Sequence, residues 1–382
     1  MRILGREIDL GKIMPLLHRH FSASIIGGMQ RFRLKSGIDN IFKSGYSLPP
    51  SVITIETTYL CNLRCKTCWF YGTEGIMDKK NMSKSLSITQ LKKIADDVAV
   101  SKPYIYLTGG EPLINKSLLE FIRYATKKGI VVGMVTNGTL IYENNAKDII
   151  DSGIDFITIS IDGPEKIHNN IRGKVCFKKS IDGIKYLLKA RGKNKLPVIT
   201  LNCTISDYNY LHLLEIQKTA EDIGVDIVAF QHPCFLRKNT IKTHHTLFKK
   251  YFEKSDKLVE GYGSDTALNI NPEELFKIIN KIKRSKKRVD VRIYQDLNYR
   301  DTIKYYKTEN AVNNKCVNPW YSAIIKPNGD VTPCLGYVVG NINEKSFKEI
   351  WNNNKFKHFR KILKQRKYYP GCIRCCGFFY NW

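Results

Sequence analysis

Along residues 52–294, short β-branched apolar runs alternate with longer stretches whose apolar positions recur three and four apart. The runs Val52–Glu56, Tyr104–Leu107, Ile130–Thr136, Phe156–Ile161, Val198–Thr204 and Val225–Phe230 predict strands. Ser87–Val100, Leu118–Lys128, Glu143–Ser152, Ser180–Ala190 and Leu211–Ile223 predict the helices between them. Strand–helix alternation implies βαβ units on a parallel sheet, and six units predict an α/β fold, a partial (β/α)6 barrel, over residues 49–300. Ligands of such folds gather at the carboxyl ends of the strands. Gly109-Gly110, Asn137-Gly138 and Asp162-Gly163 follow strands directly, at tight turns. The pattern loosens after the sixth strand: residues 240–310 read as helical and basic, with one more strand at Val289–Tyr294. A composition shift near Asn313 opens a small C-terminal cysteine-rich domain, residues 313–382.

Residues 1–48 form a basic amphipathic extension, with Met14, Leu17, Phe21, Ile25, Met29 and Phe32 near helical spacing. Such a segment can lie on an anionic membrane or pack against the open end of the barrel. Pro15 and Gly27-Gly28 interrupt a single long helix and favour packing.

Composition narrows the class. The 382 residues, 43% apolar and 11% aromatic, suit two domains with buried cores rather than a disordered chain. The sequence contains no run of eighteen apolar residues and no signal-peptide block, so a cytoplasmic protein is expected. The 62 Lys and Arg against 35 Asp and Glu give a net charge of +27, spread without a basic tail or an RNA-binding motif. A diffuse solvated basic surface is the expectation, with no nucleic-acid partner.

The eleven cysteines change the picture most. Thiols stay reduced in the cytosol, so clustered cysteines there point to metal rather than disulfides. Cys61, Cys65 and Cys68 lie within eight residues, directly after the first predicted strand. Thiolates suit iron–sulfur clusters and zinc. Structural zinc needs four ligands, whereas three thiolates leave one iron of a 4Fe-4S cluster open.

Cys-x3-Cys-x2-Cys after a first strand resembles the signature of the radical S-adenosylmethionine (SAM) superfamily. The resemblance implies a 4Fe-4S cluster on Cys61, Cys65 and Cys68, with SAM bound at the open iron. It also implies reductive SAM cleavage to a 5′-deoxyadenosyl radical, fed by a reductant such as flavodoxin or ferredoxin. Gly109, Gly110 and Glu111 resemble the family's Gly-Gly-Glu motif at the SAM ammonium. Ser160 and Arg172 fall where the family polarises the SAM carboxylate and ribose, although Arg172 also reads as a surface cation. Thr67 stands where the family often has a large apolar residue against the adenine; Trp69 or Phe70 can supply that surface. Asn137 reads as a turn former, Asn209 as a helix N-cap, and Asn202 and Gln231 as cavity-facing strand ends. Cys176, Cys203 and Cys234 read as free buried cysteines.

Cys316, Cys334, Cys372, Cys375 and Cys376 form a second set, with Gly329 in a turn before Cys334. The arrangement resembles the auxiliary-cluster region of the SPASM/twitch subgroup, which implies a second, auxiliary 4Fe-4S cluster. Cys316, Cys334, Cys372 and Cys375 are its expected ligands, with Cys376 competing for the place of Cys375. A zinc ribbon would use the same sulfurs. The expected activity is hydrogen abstraction from a small molecule, a lipid or a ribosomally made peptide, followed by net oxidation. The rival expectation is a non-catalytic iron–sulfur or zinc scaffold.

Overall fold

The computed structural model describes residues 45–72, 75–76, 83–254, 257–263, 267, 269–285, 288–334 and 336–379, with the main chain of 2–3 and 6–7. The amphipathic positions expected between Met14 and Phe32 lie outside the described residues.

The elements that form the barrel follow their sequence signals closely. In order they are β1 (Val52–Thr58), α1 (Ile88–Val98), β2 (Tyr104–Gly109), α2 (Leu118–Lys127), β3 (Val132–Thr136), α3 (Glu143–Asp151) and β4 (Phe156–Ser160). Then come α4 (Glu165–Arg172), α5 (Cys176–Arg191), β5 (Val198–Thr204), α6 (Leu213–Ile223) and β6 (Ile227–Gln231). Helix α1 starts at a capping box of Ser87 and Gln90 and buries Leu91, Ile94, Ala95 and Val98, one stripe of its surface. Helix α2 buries Leu118, Phe121, Ile122 and Ala125 in the same way.

The loosely patterned stretch resolves into α7 (Lys238–Phe252), α8 (Pro272–Arg284), β7 (Asp290–Tyr294) and α9 (Tyr299–Lys307). Helix α8 shows why a basic sequence still forms a helix. Asn271 caps it, Pro272 opens it, Glu273 and Glu274 sit in the first turn, and Lys281, Lys283 and Arg284 sit in the last, each complementing the helix dipole.

Residues 313–382 contribute β8 (Ser322–Ile325), β9 (Asp330–Thr332), β10 (Gly340–Asn341), α10 (Phe347–Trp351), α11 (Asn354–Arg366) and α12 (Cys376–Phe379). This region is stitched into the barrel sheet. The sheet has ten strands in the order β10-β9-β8-β1-β2-β3-β4-β5-β6-β7, parallel from β8 through β7, with β8, β9 and β10 paired antiparallel. The barrel is therefore open, and the auxiliary ribbon extends its first edge. Residues 45–48 run onto the same region: Trp351 Nε1 donates to Leu48 O at 2.8 Å, and Ser47 Oγ to Trp320 O at 2.6 Å.

Alternation sorts the strand side chains. Ile53 and Ile55 of β1, Ile105 and Leu107 of β2, and Ile157 and Ile159 of β4 are buried beneath the helices. Their neighbours Thr54, Glu56, Tyr104, Tyr106, Thr158 and Ser160 therefore face the concave side. A polar inner face backed by an apolar outer one marks the concave side as the place for a ligand.

Candidate functional site

The cysteine loop begins where β1 ends, and the Gly-Gly turn after β2 holds it there. Gly110 N donates to Thr58 O at 2.7 Å and Glu111 N to Leu60 O at 2.8 Å. A Cβ at Gly110 would lie 2.2 Å from Leu60 O, and one at Gly109, where φ is +130°, would lie 2.4 Å from Thr58 O. Only glycine lets these two backbones approach so closely.

The Glu111 side chain has a different task from the expected one. Oε1 accepts from Thr136 Oγ1 at 2.7 Å and from Leu113 N at 3.1 Å, and Oε2 accepts from Asn137 N at 2.8 Å. Burial pushes its pKa up, opposed by these donors. The carboxylate is thus committed to the protein, leaving the main chain of this turn to face a cosubstrate. Asn137 carries the link onward: its Nδ2 donates to Asn62 Oδ1 at 2.9 Å, inside the cysteine loop, and its Oδ1 accepts from Thr139 N at 2.8 Å.

Within the loop, Cys68 N donates to Cys65 O at 3.1 Å, Lys66 N to Ile171 O at 2.8 Å and Tyr71 N to Cys68 Sγ at 3.4 Å. Burial, and more weakly the nearby Cys68, raise the Cys61 thiol, and burial pushes Cys65 up to about 12 against the lowering field of Arg172. A thiolate there needs cations close by.

Arg172 is one such cation, so the surface reading does not hold. Its side chain is 14% exposed, and Nε donates to Asp162 Oδ2 at 2.6 Å. Burial alone would lower its pKa, but Asp162, Cys65 and Cys68 more than offset that. Asp162 is braced in turn: Oδ1 accepts from Thr204 N at 3.1 Å. Asn209 stands at the N-cap of the short helical turn Tyr210–His212, as expected, but its side chain serves this brace in place of a capping bond: Nδ2 donates to Asp162 O and Thr204 O, both at 2.9 Å. Ser160 ends β4, paired in register with Asn202 on β5, and is 9% exposed. Of the aromatics that could replace Thr67, Trp69 stacks between Phe70, at 3.7 Å, and Tyr262, at 5.6 Å.

The second cysteine set converges from separate segments. Cys316 and Cys372 share a buried cluster with Tyr369, and Cys334 and Cys375 pack against it. Burial, then Cys375, raise the Cys316 thiol to about 12. Cys376 links this set to Cys234: it is hydrogen-bonded to Cys234 and Cys375, and with burial these place its pKa at about 12. Cys234 is therefore not isolated. The C-terminal pair is pinned by Arg374, whose side chain is 2% exposed. Its Nε donates to Tyr305 O at 2.6 Å, Nη2 meets Glu309 Oε1 at 3.0 Å, and the guanidinium lies 4.1 Å from the Phe235 ring centroid. Residues 305 and 309 lie in the stretch 240–310, whose purpose sequence patterning left open.

The donor sets fit sulfur-ligated clusters. Among the described residues no three His, Cys, Asp or Glu side chains gather tightly enough to grip one ion. A cubane takes one thiolate per iron, and cysteine thiols are the donors at hand in both places. The Tyr369 hydroxyl, buried beside Cys334, Cys372 and Cys316, has no partner in the protein, as expected where an inorganic sulfur acceptor belongs.

One functional candidate escaped the sequence reading. Glu56 on β1 faces the concave side and is 5% exposed, its Oε2 has no hydrogen-bond partner, and burial raises its pKa from 4.5 to about 7 against the field of Lys326. Ile325 of β8 pairs with Ile55, so Lys326 stands beside Glu56 across the strand boundary. The available signal was a carboxylate at an inward position of a buried strand, five residues before Cys61.

Fold and site together define a class: an open α/β barrel with one sulfur-ligated site at the carboxyl end of its first strand and another on a ribbon added to that strand. The Radical SAM superfamily pattern matches residues 55–220, and that of a SPASM iron–sulfur cluster-binding domain matches 316–376. The chain belongs to the radical SAM superfamily and carries a SPASM domain, with the 4Fe-4S clusters and SAM binding these entail. It is 27% identical over 345 residues to an AdoMet-dependent heme synthase of Methanosarcina barkeri, covering 85% of this chain and 88% of that one. It is 26% identical over 348 residues to the tungsten-containing aldehyde ferredoxin oxidoreductase cofactor-modifying protein of Pyrococcus furiosus, covering 84% and 86%. In fold it resembles Streptococcus suis SuiB, with a TM-score of 0.63 at 13% identity, covering 97% of this chain and 85% of that one. No helix among the described residues is long and apolar enough to cross a membrane.

Proposed function

We propose that this radical SAM enzyme is a cytoplasmic oxidoreductase acting on a small cofactor precursor. The two full-length relatives named above, a heme synthase and a cofactor-modifying protein, support that substrate class. When bound, SAM and the clusters supply one-electron chemistry: reductive cleavage to a 5′-deoxyadenosyl radical, hydrogen abstraction, and an acceptor for the electron released by the substrate. A reductant such as flavodoxin or ferredoxin feeds the first step.

The protein's residues divide the remaining work. Cys61, Cys65 and Cys68 hold the SAM-binding cluster, steadied by Gly109, Gly110 and the Glu111–Asn137–Asn62 chain. The main chain of the Gly109–Glu111 turn, Ser160 and Arg172 bind SAM, with Arg172 oriented by Asp162. Cys316, Cys334, Cys372 and Cys375 hold the auxiliary cluster. Hydrogen abstraction followed by electron loss frees one proton from the substrate. Glu56 is placed to take it at Oε2, with a pKa near 7 that suits proton transfer at neutral pH.

The observation that carries the reading is the three-thiol loop bracketed by the Gly-Gly turn, with the polar concave face beside it. Anaerobically loaded protein given SAM and dithionite should yield 5′-deoxyadenosine. No product from protein with a full iron complement would overturn the reading.

A further inference from the structure

Tyr369 is the residue with the least explained chemistry. Its side chain is fully buried and its hydroxyl has no partner. An unpaired buried hydroxyl costs on the order of 1–3 kcal/mol, so a phenylalanine would pack here more favourably unless something accepts its proton. Reorientation cannot relieve it. The ring is wedged among Phe248 at 5.8 Å, Phe252 at 6.0 Å, Phe359 at 5.5 Å and His244 at 6.2 Å. The main chain is fixed as well, since Tyr369 O accepts from Cys372 N at 2.9 Å and Pro370 follows.

What surrounds the hydroxyl is sulfur. After burial itself, the largest fields acting on it come from Cys334, Cys372 and Cys316, three of the four residues read above as auxiliary ligands, with Arg366 weakly opposing them. Cys316 and Cys372 share its buried cluster. A rigid donor held among ligand thiols without a protein acceptor has one chemical class of partner left, the sulfur of an iron–sulfur group.

We propose that Tyr369 donates a hydrogen bond to a sulfur of the auxiliary cluster and thereby raises its reduction potential. The inference rests on the assignment of Cys316, Cys334, Cys372 and Cys375. A donor to sulfur stabilises the reduced, more negatively charged form, and such bonds are among the protein's main levers on potential. Tyr369 is a positioning and tuning residue, outside the SAM-binding machinery.

The test uses full-length protein loaded anaerobically with iron and sulfide, in three forms: wild type, Tyr369→Phe and Tyr337→Phe. Tyr337 stacks on Phe359 in the same aromatic group but takes its pKa shift from burial and Glu253 rather than from cysteines, so it is the control. In a redox titration followed by electron paramagnetic resonance, Tyr369→Phe should lower the midpoint of the auxiliary cluster only. Iron content and melting temperature should match wild type, and Tyr337→Phe should change neither midpoint. Resonance Raman should show iron–sulfur stretches that shift in D2O for wild type and not for Tyr369→Phe. An unchanged midpoint in Tyr369→Phe, or an equal shift in Tyr337→Phe, overturns the inference. Wild type holding iron for one cluster alone sinks the ligand assignment as well, so iron content separates the two failures.

Discussion

The two sulfur sites sit on one sheet and are built by opposite means. Cys61, Cys65 and Cys68 are neighbours in sequence on one loop, held by main-chain bonds to the next turn of the barrel. The auxiliary cysteines arrive from β9, from the approach to β8 and from the C-terminus, and meet only because aromatic packing and Arg374 hold those segments together. The first site should therefore tolerate damage elsewhere in the fold, whereas the second should fail whenever its supports do. Contiguity gives robustness and legibility; assembly gives a site whose surroundings can be tuned.

That contrast is easiest to break at the thiols. Cys65→Ala should abolish 5′-deoxyadenosine formation, at least a hundredfold, whereas Cys334→Ala should leave SAM cleavage that no longer couples to substrate. Equal loss in both, by product chromatography, would erase the division between the sites.

Arg374→Met tests the assembled site through its support. Removing the cation leaves the buried Tyr305 and Phe235 carbonyls without their donor, while Glu309, 31% exposed, keeps Arg237 and Thr240; the loss is about 1–3 kcal/mol. Iron should fall from about eight to about four atoms per chain while SAM cleavage persists. Full iron retention would mean that the C-terminal segment holds without Arg374.

Glu56 sharpens the comparison from the concave face between the sites. Its pKa in the fold is raised from 4.5 to about 7, so between those values the folded state binds more protons than the unfolded one and stability falls as pH rises. Glu56→Gln should then match wild type in stability trend below pH 4.5 and gain on it up to pH 7, by about 3.5 kcal/mol at most at about 1.4 kcal/mol per unit. Denaturant melts across this range check it; a Glu56→Gln protein less stable at pH 8 would show that Glu56 is ion-paired with Lys326.

The smallest effect belongs to Lys147, whose ion pair with Asp151 at 2.6 Å is solvent-exposed. Lys147→Ala should leave the melting temperature unchanged within error, and a clear fall would show that surface pairs matter more here than their exposure allows.

What could be read in advance follows the same division. The six barrel strands and the outer helices were legible because Ile, Leu and Val recur with the right period and Ser87 and the Gly-Gly turn punctuate them. The three-thiol loop was legible because its chemistry is local. The helices of residues 240–310 and the strand at Val289–Tyr294 were legible as well, but what they do was not, since it is long-range: the Tyr305 carbonyl and Glu309 hold Arg374. Glu111 looked like a cosubstrate ligand because a carboxylate beside a Gly-Gly turn has that chemistry; only geometry shows that Thr136, Leu113 and Asn137 consume it. Asn209 was legible as an N-cap position, but its bracing of Asp162 was not, since that contact spans 47 residues.

The central claim is that one cluster keeps an open iron for SAM and the other is closed. Electron paramagnetic resonance of the reduced, fully loaded protein, recorded with and without SAM, tests it directly. SAM should change the signal of one cluster and leave the other untouched, and the responsive signal should be missing in Cys65→Ala. A spectrum indifferent to SAM, or zinc in place of iron at Cys61, Cys65 and Cys68, would contradict the account.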